Sequence, residues 1–96
     1  MNFKWNIEKN RLLKEERNVC FEDVVALIDE DKVLDIIKHP NTSKYPNQSI
    51  YIVCLQNYIH MVPYVRLDNE IFLKTIIPSR KMNKIYKNKG ADHEDG

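Results

Sequence analysis

An α+β domain of order β-α-α-β-β-β-β-α, with an antiparallel sheet packed against helices, is what this sequence predicts. Three observations carry that expectation. Residues 7–30 place apolar side chains at helical spacing, most clearly Phe21, Val24, Val25, Leu27 and Ile28. From Ile50 to Ile77 the apolar residues come in short runs rich in Ile, Val and Tyr, punctuated by turn formers, as strands do. After Pro78 the spacing turns helical again, with Met82, Ile85 and Tyr86 on one face.

Taken in order, Asn2 to Trp5 alternate weakly and read as a short edge strand. Asn6 suits an N-cap, because its side-chain oxygen can accept an early helical N–H, and Glu8 complements the helix dipole. The helix over residues 7–17 offers Leu12 and Leu13 as core contacts, and Asn18 tolerates the left-handed conformation that ends helices. A second helix runs from Phe21 to about Glu30, opened by Glu22 and Asp23, with Cys20 a weak cap where serine would serve better. "KVLDII" reads as a strand. "KHPNTSKYPNQS" is long for a connection in so small a domain, and such loops are often functional or mobile. "IYIVCL" and "YIHMVPYV" flank Gln56-Asn57 as a hairpin. Pro63 cannot donate to a ladder, so it points to an edge strand or a bulge. Asp68-Asn69 turns the chain into "IFLKTII", the third strand of the meander. Pro78 stops that strand, and Ser79 caps the last helix.

Ninety-six residues allow one domain, taken as 1–90, followed by an acidic tail over 91–96 expected to be disordered. Hydrophobic content of 43% and charged content of 30% fit a globular protein. No apolar run reaches the roughly 20 residues that span a bilayer, so no membrane is expected. The opening "MNFKWNIEKN" lacks the apolar core of a signal peptide, and the expected location is the cytoplasm. Cys20 and Cys54 lie far apart, without C-x-x-C spacing, and read as buried, reduced thiols. The three histidines show no metal-ligand spacing, and no Gly-rich phosphate loop or nucleophile motif occurs; neither metal nor cofactor is expected. Net charge is +1, but it is unevenly spread. Glu8 to Asp35 holds nine acids and five Lys or Arg, whereas Ile71 to Gly90 holds six Lys or Arg and no acid. That gradient gives a near-neutral protein a positive face, which suits a polyanion.

Three segments resemble one family. "FKWNIEKN" is similar to the F-x-W-D-x-x-K-N opening of BrnT-type toxins of the RelE-like superfamily. "NVCFEDV" resembles their G-V-S-F-E-E-A turn and second helix, and "IIPSRKMNKIY" their closing I-S-A-R-x-A-T segment. The resemblance implies a RelE/BrnT-like fold and the toxin half of a type II toxin–antitoxin pair. It further implies a metal-independent ribonuclease that inhibits translation. The implied partner is a cognate antitoxin with a ribbon-helix-helix or similar DNA-binding domain. Glu16 and Arg17 stand where many relatives carry Lys and His, and Tyr86 where they often carry Glu.

Cutting RNA without a metal needs a base for the 2′-hydroxyl, cations for the phosphorane charge and an acid for the leaving oxygen. Arg80 is the candidate phosphate clamp, since a guanidinium matches phosphate bidentately and here opens a helix. His60 titrates in the useful range, and Tyr86 can donate a proton, although Tyr86 also completes the apolar stripe of its helix. Period-two alternation groups Tyr58, His60, Val62, Tyr64 and Arg66 on one sheet face, and Phe72, Lys74 and Ile76 on a face of the next strand. Such a surface can stack and charge-pair a nucleotide, making Arg66, Lys74, Lys81 and Lys84 the RNA-binding candidates. Two other readings stay open. One is a non-catalytic protein of the same fold that binds an antitoxin or nucleic acid. The other is a DNA reader using the last helix, whose packing stripe leaves few side chains for a groove.

Overall fold

The computed structural model describes residues 1–95, with side chains through Lys87; the tail reading for residues 91–96 lies outside the described side chains. Among the described residues there are three helices and six strands: β1 Asn2–Lys4, α1 Ile7–Arg17, α2 Phe21–Asp29, β2 Asp35–Lys38, β3 Gln48–Leu55, β4 Tyr58–Leu67, β5 Glu70–Leu73, β6 Ile77–Pro78 and α3 Arg80–Asp95. The fold is α+β, as expected, but the sheet is mixed. Its order is β1-β5-β4-β3-β2, with β6 also on β4, and β1 runs parallel to β5.

Local chemistry sets the helix ends. Asn6 Oδ1 accepts the Lys9 N–H at 2.9 Å, and Asn18 closes α1 at φ 57°. Cys20 occupies the N-cap of α2 without a side-chain cap bond. Asp31, at φ 58°, turns the chain back so that the Lys32 N–H reaches the Leu27 carbonyl at 2.8 Å. That closure consumes the first residues of "KVLDII", and β2 therefore starts only at Asp35. Adjacent helical residues diverge by about 100°. Leu13 is accordingly buried while Leu12 faces outward.

The sheet has helices on both sides. Leu13, Val19, Phe21 and Val24 pack on Tyr51, Val53, Val62, Leu73 and Ile76, with Trp5 stacked on Phe21 at 5.7 Å. On the other face, Met82 and Tyr86 of α3 cover Ile50, Ile52 and Ile59. Gln56 and Asn57 both have positive φ, the geometry of a tight hairpin turn, and Gln56 Nε2 donates to the Asn18 carbonyl at 3.1 Å.

Pro63 lies in the central strand β4, opposite Ile50, and the irregularity it required falls on its other side. Its carbonyl accepts the Lys74 N–H at 2.8 Å, so its nitrogen also points toward the segment between β5 and β6. There the register slips by one residue, from Tyr64 opposite Leu73 to His60 opposite Pro78. This is a bulge, and it breaks "IFLKTII" in two. Ile76 turns into the core while Phe72 stays exposed on the opposite face, so the two do not share the expected surface. Cys20 is partly buried and Cys54 exposed, which corrects the expectation of two buried thiols. No described helix is long and apolar enough to cross a membrane.

Candidate functional site at the β6 corner

The bulge delivers Ile77 and Pro78 to the edge of β4 beside Met61 and His60. Ser79 then starts α3: its Oγ accepts the Met82 N–H at 3.2 Å and its carbonyl the Asn83 N–H at 2.8 Å. Both backbone groups of Ile59 are held by this helix start. Its carbonyl accepts the Ser79 N–H at 3.0 Å, and its N–H donates to Asn83 Oδ1 at 3.0 Å. Arg80, the first residue of α3, is exposed and sits two residues beyond the strand that pairs with His60.

Arg17 reaches the same corner from the end of α1, donating from Nη1 to the Ile76 carbonyl at 3.2 Å. The sequence marked Arg17 only as a departure from the family pattern, standing where many relatives carry His, and did not count it among the site residues. The signal that distinguishes it is tertiary, namely its bond to a residue 59 positions away.

His60 is buried, at 5% exposure. Its Nδ1 lies 2.8 Å from the Tyr58 carbonyl, which can only accept, so Nδ1 carries the proton and Nε2 is left as the basic nitrogen. The Tyr58 ring meets it edge-on at 6.0 Å. Burial, with the nearby Arg17 charge as a smaller contribution, lowers the His60 pKa below 6.5, although the Tyr58 hydrogen bond opposes this. The ring is therefore neutral at pH 7. Between the folded value and 6.5 the unfolded chain holds the extra proton, so stability rises with pH in that window. Urea midpoints are expected to fall as pH drops from about 7.5 through 6.5 toward 5.5. The His60→Gln variant should flatten that slope; an equally steep slope in the variant would place its origin elsewhere.

The remaining candidates disperse. Tyr86 lies on the opposite face of the sheet from His60, and its hydroxyl donates to Asp35 Oδ2 at 2.8 Å. That bond is the main cause of its raised pKa, with burial second. Arg80, His60 and Tyr86 thus do not form one cluster. Lys81 and Lys84 are exposed on α3. Arg66 lies at the far end of β4, and Lys74 is exposed at the bulge. The face carrying Tyr58, His60, Val62, Tyr64 and Arg66 does alternate as read, but α1 and α2 cover it. His60 is buried there, and Tyr64, at 8% exposure, stacks on Tyr51 at 4.1 Å. Burial pushes the Tyr51 hydroxyl up to about 12, with Tyr64 adding to the shift. Of the side chains that suggested an open platform, His60 and Tyr64 are buried in the core, His60 against a carbonyl and Tyr64 against Tyr51, while Arg66 and Lys74 remain exposed.

The corner therefore unites Arg17, Tyr58 and His60 beside β6, and Arg80 follows two residues after that strand at the start of α3, the helix that packs on the other face of the sheet. It brings one cation, Arg17, and a neutral imidazole together near one strand end, with Arg80 two residues along the chain. No family model, curated protein or solved structure matches the chain.

Proposed function

We propose that the chain is the toxin component of a type II toxin–antitoxin pair, acting on RNA by metal-independent cleavage. The observation that carries this reading is the convergence of Arg17 and His60 on β6, two residues before Arg80. In the proposed step the RNA 2′-oxygen attacks the adjacent phosphorus and the 5′-oxygen bond breaks. The products are a 2′,3′-cyclic phosphate and a 5′-hydroxyl. Arg80 and Arg17 offset the charge that builds on the phosphorane, where preorganised cations have their largest effect. His60 Nε2 is the base, in a neutral state suited to accept the 2′-hydroxyl proton, and the imidazolium so formed gives that proton to the departing 5′-oxygen, which leaves as the 5′-hydroxyl. The antitoxin, with a ribbon-helix-helix or similar DNA-binding domain, neutralises the protein.

Induced expression is expected to arrest growth, and coexpression of the product of an adjacent reading frame to restore it. Purified protein should cut RNA in excess EDTA and leave 2′,3′-cyclic ends. Normal growth under strong, confirmed expression together with intact RNA would reject the ribonuclease reading.

A second reading is a non-catalytic binding protein of the same fold. It is favoured by the burial of His60 and by the engagement of the Tyr86 hydroxyl with Asp35, which leave Arg80 the one exposed member of the three catalytic candidates. Antitoxin binding without RNA cleavage is its expected signature.

A further inference from the structure

The face under α3 is only half covered. Helix α3 lies over Ile50, Ile52 and Ile59, whereas among the described side chains none from a helix lines the end of the sheet nearest the β4–β5 turn. The strand registers build one continuous row across that end. The His39 N–H donates to the Gln48 carbonyl, extending the β2 ladder by one residue. Gln48 pairs with Val65, Val65 with Phe72, and Phe72 with Lys4. By alternation this row lies on the α3 side of the sheet, two residues along from Ile37 and Ile50. Five adjacent strands give it a span of about 19 Å. A shallow pocket of about 360 Å³ opens in it, lined by Lys4, Val65, Leu67, Glu70 and Phe72.

Aromatic rings stand in this row. Phe72 is 43% exposed, one strand in from the β1 edge. At the β2 end the His39 ring packs against Tyr45 at 4.3 Å with the two planes tilted by 44°, and Lys44 lies over the Tyr45 ring at 5.4 Å. The long loop is built to hold that pair. The Asn41 N–H donates to His39 Nδ1 at 3.0 Å, Asn41 Oδ1 accepts the Lys44 N–H at 3.1 Å, and its carbonyl accepts the Tyr45 N–H at 2.9 Å. Lys4, Lys44 and Lys74 flank the row, and the single acid lining the pocket, Glu70, is held by Lys4 at 3.7 Å.

We infer that this uncovered half-face binds single-stranded nucleic acid, with bases stacked on Phe72 and on the His39–Tyr45 pair and phosphates drawn to Lys44 and Lys74. Exposed rings set among lysines on a sheet are the arrangement that grips unpaired strands without reading a groove. An apolar protein segment would fill the pocket but would bring no counter-charge to Lys44 and Lys74, which make none of the described ion pairs. The inference deepens the RNA-directed reading of the β6 corner, and rests on it for the choice of RNA over DNA.

The test uses the full chain and a fluorescein-labelled 2′-O-methyl oligouridine of about a dozen nucleotides, a site size in the usual range, which cannot be cleaved by 2′ attack. Anisotropy should show binding that weakens steeply with salt. Phe72→Ala should weaken it about tenfold, in line with the loss of one stacked base. Phe72→Trp should restore it, with the new indole quenched by the oligonucleotide. Lys44→Ala combined with Lys74→Ala should flatten the salt dependence. Phe72 is exposed, so its removal leaves the fold intact, and unchanged circular dichroism is the control. No binding, or binding indifferent to Phe72, overturns the inference. So does a cognate protein partner that needs Phe72 and Leu67 while oligouridine affinity is unmoved by their loss. Binding that persists in Arg80→Ala, in a protein that cuts no RNA, would reject the nuclease reading and leave this surface standing.

Discussion

Phe21→Ala should cost about 3–5 kcal/mol of folding stability, the range for emptying a fully buried aromatic site. The ring is 0% exposed and stacks on Trp5, which follows strand β1. Its backbone N–H donates to Asn10 Oδ1 at 2.7 Å, and Asn10 Nδ2 donates to Glu22 Oε1 at 2.7 Å. Phe21 thus joins β1, α1 and α2 at one point. Anchored on three sides, the surroundings cannot collapse into the space that alanine leaves, so both the transfer and the cavity contributions apply. Domains of this size have about 5–15 kcal/mol in total, and each kcal/mol moves the melting temperature by about 4–8 °C. A drop of roughly 15 °C or more should follow. Trp5 is the sole tryptophan and reports the transition by fluorescence. A loss below about 1 kcal/mol in urea titration would show that this junction relaxes freely.

Arg80→Ala carries the largest functional effect. On the proposed chemistry it removes an exposed guanidinium from the mouth of the β6 corner and should lower RNA cleavage about a hundredfold or more, as loss of one preorganised charge-stabilising group does. Growth arrest should lift accordingly. Exposed at the start of α3, Arg80 makes none of the described ion pairs, so stability should change by about 0.5 kcal/mol at most. Arg80→Lys keeps the charge but not the planar fork, and only part of the rate should return. Cleavage undiminished in Arg80→Ala, with Arg17→Ala equally active, would remove this corner from the mechanism.

The helices were the most legible part of the chain, because their signals are local. Asn6 and Asn18 mark the ends of α1 by side-chain and backbone preferences that need no distant partner. Ser79 does the same for α3 through its bond to Met82. The alternation along β4 was legible too, since period two is a property of the strand itself. What alternation cannot tell is which face receives the helices. His60, Tyr64 and Arg66 looked like a surface because they are polar, yet His60 and Tyr64 are core residues, at 5% and 8% exposure. The bulge was signalled by Pro63 but expressed in the neighbouring strand, where it sends Ile76 inward and separates it from Phe72.

The sequence by itself determined the class of fold, the caps, the hairpin turn and the basic character of the last third, because each is written in residues a few positions apart. Tertiary structure alone decided that β1 pairs in parallel with β5, that Arg17 meets the Ile76 carbonyl and that the described side chains of α3 cover Ile50, Ile52 and Ile59. Those features depend on contacts between residues up to 68 positions apart, from Asn2 to Glu70. Contacts of that kind are settled by the burial of the whole apolar surface, not by the preferences of any one segment.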